Sequence, residues 1–258
     1  MRMLSYRARS AFMDTPHLSV IIPAYNESQR LQGTLERCQV RLDACVPSWE
    51  IIVADDGSED DTRAIAEGVS AVEPRVRVLA AERGGKGAAV RRGMLAARGR
   101  WRFFADADLS MDLDQLPHFL AQHADIMIAS REAPGARRIG EPSSRHVIGR
   151  LFNLIVRLVA LPGIHDTQCG YKLFSAAAVQ QLFPAARVNG FAFDVELLYL
   201  ARRAGFRIVE VPVTWSYRQG SRMRLGTGLM AFAQILQIRW NDLLGRYSAA
   251  RSRLHQPT

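Results

Sequence analysis

The chain has 258 residues, 48% of them hydrophobic, which is enough for a single domain with a large buried core. A formal charge of +9, from 34 Lys and Arg against 25 Asp and Glu, favours anionic ligands such as nucleotides, nucleic acid or acidic lipid headgroups. Cys38, Cys45 and Cys169 form no CxxC pair and have no ligand-like spacing to the six histidines, which indicates neither a disulfide framework nor a zinc site and suits a reducing cytoplasm.

Residues 1–17 carry Arg2, Arg7 and Arg9 with no apolar run after them, which reads as an N-terminal leader and argues against a signal peptide. From Leu18 onward, short β-branched runs alternate with helical stretches, the pattern of βαβ units in a mostly parallel sheet. Strands are predicted at Leu18–Ile22, Trp49–Ala54, Val76–Ala80, Arg100–Ala105 and Ile126–Ser130, with helices beginning near Glu27, Asp60, Lys86 and Asp114. Beyond Arg131 a helix is predicted near His146–Leu161, a strand at Cys169–Phe174, a helix from Asp194 and a strand at Arg207–Val213. No apolar run reaches the ~20 residues of a membrane-spanning helix.

Each early strand runs straight into polar or charged residues. These are Pro23-Ala24-Tyr25-Asn26-Glu27, Asp55-Asp56-Gly57-Ser58, Arg83-Gly84-Gly85-Lys86-Gly87, Asp106-Ala107-Asp108 and then Arg131. In an open parallel sheet, ligands bind outside the carboxyl ends of the strands, so these segments should converge on one site. Asp106 and Asp108 put two ionised carboxylates where both address one hard cation, although an isolated pair of this kind also reads as a solvated turn and helix cap. Asp55 and Asp56 read either as a turn and cap or as acceptors for ribose hydroxyls or a base edge. The glycines around Lys86 suit a loop whose amides approach a phosphate at a helix N-terminus, or a merely flexible loop.

That loop is not the NTPase type, because Gly87 follows Lys86 and no glycine lies five residues before Gly85. No GxGxxG follows the first strand, which leaves a dinucleotide-binding domain unsupported. Dispersed arginines without an aromatic-basic motif argue against nucleic acid as a partner.

Together these segments resemble glycosyltransferase family 2, the inverting GT-A enzymes. The later stretches Asp166-Thr167-Gln168-Cys169-Gly170-Tyr171-Lys172-Leu173-Phe174, Phe193-Asp194-Val195-Glu196-Leu197 and Gly220-Ser221-Arg222 are similar to its dolichyl-phosphate β-glucosyltransferase and bacterial polyprenyl-phosphate glycosyltransferase branch. The resemblance implies an α/β, Rossmann-like GT-A fold with a mixed, mostly parallel central sheet flanked by helices, and amphipathic C-terminal helices. It divides the chain into a domain at 18–224, with a nucleotide-sugar half at 18–131 and an acceptor half at 132–224, followed by an amphipathic helix and tail at 225–258.

Carried over residue by residue, the resemblance puts Pro23, Ala24, Tyr25, Glu27, Asp55 and Asp56 around the base and ribose, and Lys86 near the nucleotide or sugar. Asp106 contacts the donor, and Asp108 with Asp106 ligates Mg²⁺ or Mn²⁺. Ser110 stands where related mannosyltransferases carry a further Gln ligand. Arg131, Arg145, Lys172 and Arg222 meet the acceptor phosphate or donor diphosphate. Asp166 and Asp194 either act on the acceptor and sugar or anchor structure. The implied reaction is inverting transfer of a hexose, with UDP-glucose the first choice among UDP-sugars, onto a polyprenyl or dolichyl phosphate. A soluble or protein acceptor, or a sugar-phosphate nucleotidyltransferase, is the alternative.

His146, Arg150, Asn153 and Arg157 form one stripe of an otherwise apolar helix. Leu229, Phe232, Leu236, Trp240 and Leu243 make a second amphipathic stretch among Arg222, Arg224, Arg239 and Arg246. Such faces either pack on the sheet or lie on an anionic membrane surface. The second reading places the protein peripherally at the cytoplasmic face of a membrane, where a lipid acceptor would be found.

Overall fold

The five early apolar runs become β1 (Leu18–Ala24), β2 (Trp49–Asp55), β3 (Val76–Ala80), β4 (Trp101–Phe104) and β5 (Ile126–Ser130) in a computed structural model. The structure describes residues 15–217 and 225–251, apart from the side chains of residues 143–148, 225–231, 249 and 251. With β7 (Lys172–Ser175) and β8 (Ile208–Pro212), these strands form one sheet in the order β3-β2-β1-β4-β7-β5-β8. All neighbours pair in parallel except β7, which runs antiparallel to both β4 and β5. The predicted second half therefore contributes a strand between two strands of the first. The short strands β6 (Arg137–Ile139) and β9 (Thr214–Ser216), which the pattern does not predict, pair with each other in a separate sheet.

Successive side chains of a strand point to opposite faces, so a strand covered on both sides is apolar throughout. Ile21, Ile52, Phe104, Ile128 and Phe174 face one core, whereas Val20, Ile51, Phe103, Met127 and Leu173 face the other. The first core is covered by α3 (Lys86–Ala96), α6 (Ala176–Leu182) and α7 (Phe193–Arg203), with Val156 of α5 (Ser143–Val159) and Ile235 and Ile238 of α8 (Leu225–Leu243). Ala250, in the last helical turn α9 (Ser248–Arg251), joins this core. The second core is covered by α1 (Leu31–Cys45), α2 (Thr62–Val72) and α4 (Leu116–Leu120). The result is a three-layer α/β/α arrangement.

Two helices start later than their sequence signals. The residues before α1 are tied to the loop before α2: Asn26 N donates to Ser58 Oγ at 3.0 Å, and Glu27 N donates to Thr62 Oγ1 at 2.7 Å. Asn26 itself has a φ of 53°, a left-handed conformation that Asn tolerates better than most residues. The helix expected from Asp114 is a 3-10 turn at Leu113–Gln115 followed by the short α4.

α5 and α8 pack against one another. Asn153 turns inward, where its Oδ1 accepts from Thr167 Oγ1 at 3.3 Å, so the polar stripe of α5 is partly internal. Leu151, Leu154 and Leu158 on α5, and Phe232, Leu236, Trp240 and Leu243 on α8, remain exposed. Among the described residues, no helix is long and apolar enough to cross a membrane.

Candidate active site

The carboxyl ends of β1, β2 and β4 open on one edge of the sheet, and the antiparallel β7 begins there. A cleft of about 520 Å³ runs along this edge. It is lined by Pro23, Ala24, Tyr25 and Glu27 from the end of β1 and its loop, Asp56 after β2, Lys86 at the start of α3, Asp106 and Asp108 after β4, and Asp194 in α7. These predicted residues are thus brought together.

Lys86 Nζ lies 2.6 Å from Asp106 Oδ1, and Asp108 Oδ1 accepts from Ser110 N at 2.9 Å. Burial works against the Lys86 ammonium, but the charges of Asp106, Asp194 and Asp108 outweigh it and raise its pKa above the usual lysine value. The cleft therefore holds a protonated lysine beside two carboxylates two residues apart in sequence. Among the described residues, no group of three or more His, Cys, Asp or Glu side chains is gathered as a metal cage. The donor set of Asp106 and Asp108 fits a hard divalent cation that takes its remaining ligands from a diphosphate and water.

The Gly-rich loop is built differently from an amide cradle. Asp56 Oδ1 accepts from Gly84 N at 2.9 Å, Asp56 Oδ2 accepts from Gly85 N at 2.8 Å, and Gly87 N donates to Asn189 O at 2.9 Å. Three amides that would meet a phosphate are therefore engaged within the protein, and the loop's charged contributions to the cleft are the Lys86 and Arg83 side chains. Gly87 is required by close approach, since a Cβ there would sit 2.7 Å from Phe193 Cβ. Asp56 also pairs with Arg92 at 3.1 Å, so its carboxylate positions the loop. Asp55 is buried and closes its own turn, with Oδ1 accepting from Ser58 Oγ at 2.5 Å. Both aspartates thus have internal partners, and of the two only Asp56 lines the cleft.

At the other end of the cleft, the Arg83 guanidinium stacks 4.1 Å over the Tyr25 ring and donates to its hydroxyl at 2.9 Å. A guanidinium beside an aromatic ring gives the cleft planar groups of the kind a nucleobase stacks on.

Asp166 does not reach the cleft. It is fully buried and grips Arg131 through a fork, with Nε to Oδ2 at 2.7 Å and Nη2 to Oδ1 at 2.9 Å. Burial alone would raise the Asp166 carboxyl, but the Arg131 charge and hydrogen bonds outweigh it and bring its pKa to about 2. Arg131 is thereby held in an ion pair beside Trp215 and does not line the cleft. Lys172 is also fully buried. Its Nζ donates to Cys169 O at 2.6 Å and lies 3.1 Å from Asp194 Oδ1, so its expected contact with an acceptor is replaced by support of Asp194. Burial pushes the Asp194 carboxyl up against the opposing pull of Lys172 and Lys86. The Arg145 side chain and the whole of Arg222 lie outside the described residues.

Residues 19–183 match the family described as Glycosyl transferase family 2. The chain belongs to this family. It is 43% identical over 230 residues to the dolichyl-phosphate beta-glucosyltransferase of Drosophila melanogaster, covering 81% of this chain and 71% of that protein. It is 33% identical over 254 residues to the dolichyl-phosphate beta-glucosyltransferase of Saccharomyces cerevisiae, covering 89% of this chain and 76% of that one. Among solved structures, it resembles Mycobacterium tuberculosis glucosyl-3-phosphoglycerate synthase in complex with Mn²⁺, uridine diphosphate and phosphoglyceric acid. That match has a TM-score of 0.62 at 20% identity and covers 90% of this chain and 78% of the other, which establishes a common fold.

In this family 2 glycosyltransferase, Gln168, Phe191 and Phe193 also line the cleft, although the pattern reading assigned them no role. Gln168 escapes a search of segments that follow strands because it precedes one, the antiparallel β7. Arg83 belongs to a recognised motif, but its stacking on Tyr25 depends on a partner far away in sequence.

Proposed function

We propose that the enzyme transfers glucose from UDP-glucose to a polyprenyl phosphate and forms a β-linked product. The supporting observation is the shared cleft, in which Tyr25, Arg83, Lys86, Asp106, Asp108 and Asp194 meet at the strand ends of a chain 43% identical to a dolichyl-phosphate beta-glucosyltransferase. In this reading the nucleoside lies at the Tyr25 and Arg83 end, the diphosphate beside Lys86 and Asp106, and the sugar towards Asp194. Asp108 and Asp106 would hold Mg²⁺ or Mn²⁺, which when bound would supply positive charge to the departing diphosphate.

Lys86 adds a fixed positive charge where negative charge develops as the diphosphate leaves. A phosphate monoester is largely ionised near neutral pH, with a second pKa of about 6, so the acceptor oxygen needs no strong general base. Asp194 serves to orient the sugar, with Lys172 fixing its carboxylate. Attack opposite the leaving group inverts an α-linked donor to a β-linked product.

A lipid acceptor requires the cleft to meet a membrane. Leu151, Leu154 and Leu158, with Phe232, Leu236, Trp240 and Leu243, suit docking on a lipid surface, and exposed Arg150 and Arg239 favour an anionic one. The test is product analysis by mass spectrometry after incubation with nucleotide sugars and either polyprenyl phosphate or water-soluble phosphate monoesters. Glucosyl lipid with release of UDP is expected. Release of pyrophosphate with formation of a nucleotide sugar would replace this reading with nucleotidyl transfer, and a glycosylated soluble ester alone would replace the lipid acceptor.

A further inference from the structure

We propose that Gln168 recognises the hydroxyls of the transferred sugar and helps set which sugar the enzyme accepts. This rests on reading the cleft as a nucleotide-sugar site. Gln168 lines the cleft, and its Nε2 is buried with no hydrogen-bond partner among the described residues. A buried amide N–H that lacks a protein partner, on a residue that lines a binding cleft, is a donor left for a ligand to satisfy.

The order of the strands says which part of the ligand it meets. Asp56 marks the end of β2, Tyr25 follows β1, Asp106 follows β4, and the segment carrying Gln168 leads into β7, the next strand in the sheet. A nucleotide sugar laid along this edge, with its base at Tyr25 and its diphosphate at Lys86 and Asp106, places the sugar beside Gln168 and Asp194. Phosphate oxygens call for cations, which Lys86 supplies, whereas neutral hydroxyls suit a carboxamide that both donates and accepts.

The loop holding Gln168 is unusually well fixed. Gln168 N donates to Asp166 Oδ1 at 3.2 Å, Asp166 is itself clamped by Arg131, and Lys172 Nζ holds Cys169 O at 2.6 Å. Gly170 lets the loop press against the Asp-Ala-Asp turn, since a Cβ there would sit 2.2 Å from Asp106 Oδ2. The buried Arg131–Asp166 pair therefore acts on specificity through Gln168, without touching the sugar, and Lys172 supports both the Gln168 loop and Asp194.

The test compares wild type with Gln168→Ala and the near-isosteric Gln168→Glu. It measures binding of UDP and of UDP-glucose, each with Mn²⁺, by calorimetry, and binding of UDP-glucose analogues that each lack one sugar hydroxyl. Both variants are expected to bind UDP within about twofold of wild type and UDP-glucose about tenfold more weakly, the loss of one good hydrogen bond. One deoxy analogue should bind wild type and variants alike, identifying the hydroxyl that Gln168 meets. Equal weakening of UDP and UDP-glucose, or unchanged UDP-glucose binding in Gln168→Glu, overturns the proposal while leaving the donor site intact. A wild type that binds neither ligand overturns the donor-site reading as well.

Discussion

Lys86 Nζ sits 2.6 Å from Asp106 Oδ1, joining the charged residue of the Gly-rich loop to the first carboxylate of the Asp-Ala-Asp turn. The pair spans the gap between the start of α3 and the residues after β4, the place in the cleft where the proposed reaction puts the diphosphate. Because amides of the loop's glycines are bound to Asp56 and Asn189, the loop acts on the cleft through its side chains, with Lys86 beside Asp106 and Arg83 on Tyr25.

Lys86→Met should therefore lower kcat with UDP-glucose on the order of 10²–10³-fold, the usual effect of removing one group that stabilises developing charge. Steady-state rates at saturating acceptor check this. A variant within a few-fold of wild type would mean that the diphosphate lies elsewhere.

Asp166→Asn breaks a buried ion pair and leaves Arg131 without its counter-charge, which should cost about 3–5 kcal/mol in urea denaturation at neutral pH. The folded-state pKa of Asp166, about 2, lies below the ordinary aspartate value, so its stabilisation is fully present above the unfolded pKa of about 3.9 and is lost as pH falls through about 2. The stability gap between wild type and variant should stay constant from neutrality down to about pH 5 and close in stronger acid. A gap that is absent at pH 7 would show that the fork contributes little.

The strands and the cleft edge were legible because doubly covered parallel strands read as continuous apolar runs, and β1, β2, β3 and β5 follow those runs closely. Of the polar residues after them, Tyr25, Glu27, Asp56, Lys86, Asp106 and Asp108 line one cleft, whereas Asp55 and Arg131 do not. What could not be read were partners set by packing. Asp56 finds its amides on the neighbouring loop, and Lys172, a residue type that is normally solvated, is wholly buried against Asp194. Gln168 was hidden by strand direction, since the antiparallel β7 brings the residues before it to the site edge. On α5, Asn153 faces inward and several leucines face outward, a reversal that helical periodicity alone does not assign.

Leu158 and Trp240 are 76% and 61% exposed, so replacing both with Glu should leave the fold intact, within about 0.5 kcal/mol per site. The same double variant should lose most of its co-sedimentation with anionic lipid vesicles, and wild-type binding should weaken as salt rises. Unchanged vesicle binding would assign these helices to another partner.

The central claim is tested most directly by following UDP release and glucosyl-lipid formation from UDP-glucose and polyprenyl phosphate, with and without EDTA, for wild type and Asp108→Ala. The account predicts wild-type turnover that stops with EDTA and returns with added Mn²⁺ or Mg²⁺. It predicts loss of turnover in Asp108→Ala at unchanged thermal stability. Turnover by Asp108→Ala at the wild-type rate, or wild-type activity indifferent to EDTA, would contradict a donor site built on this turn.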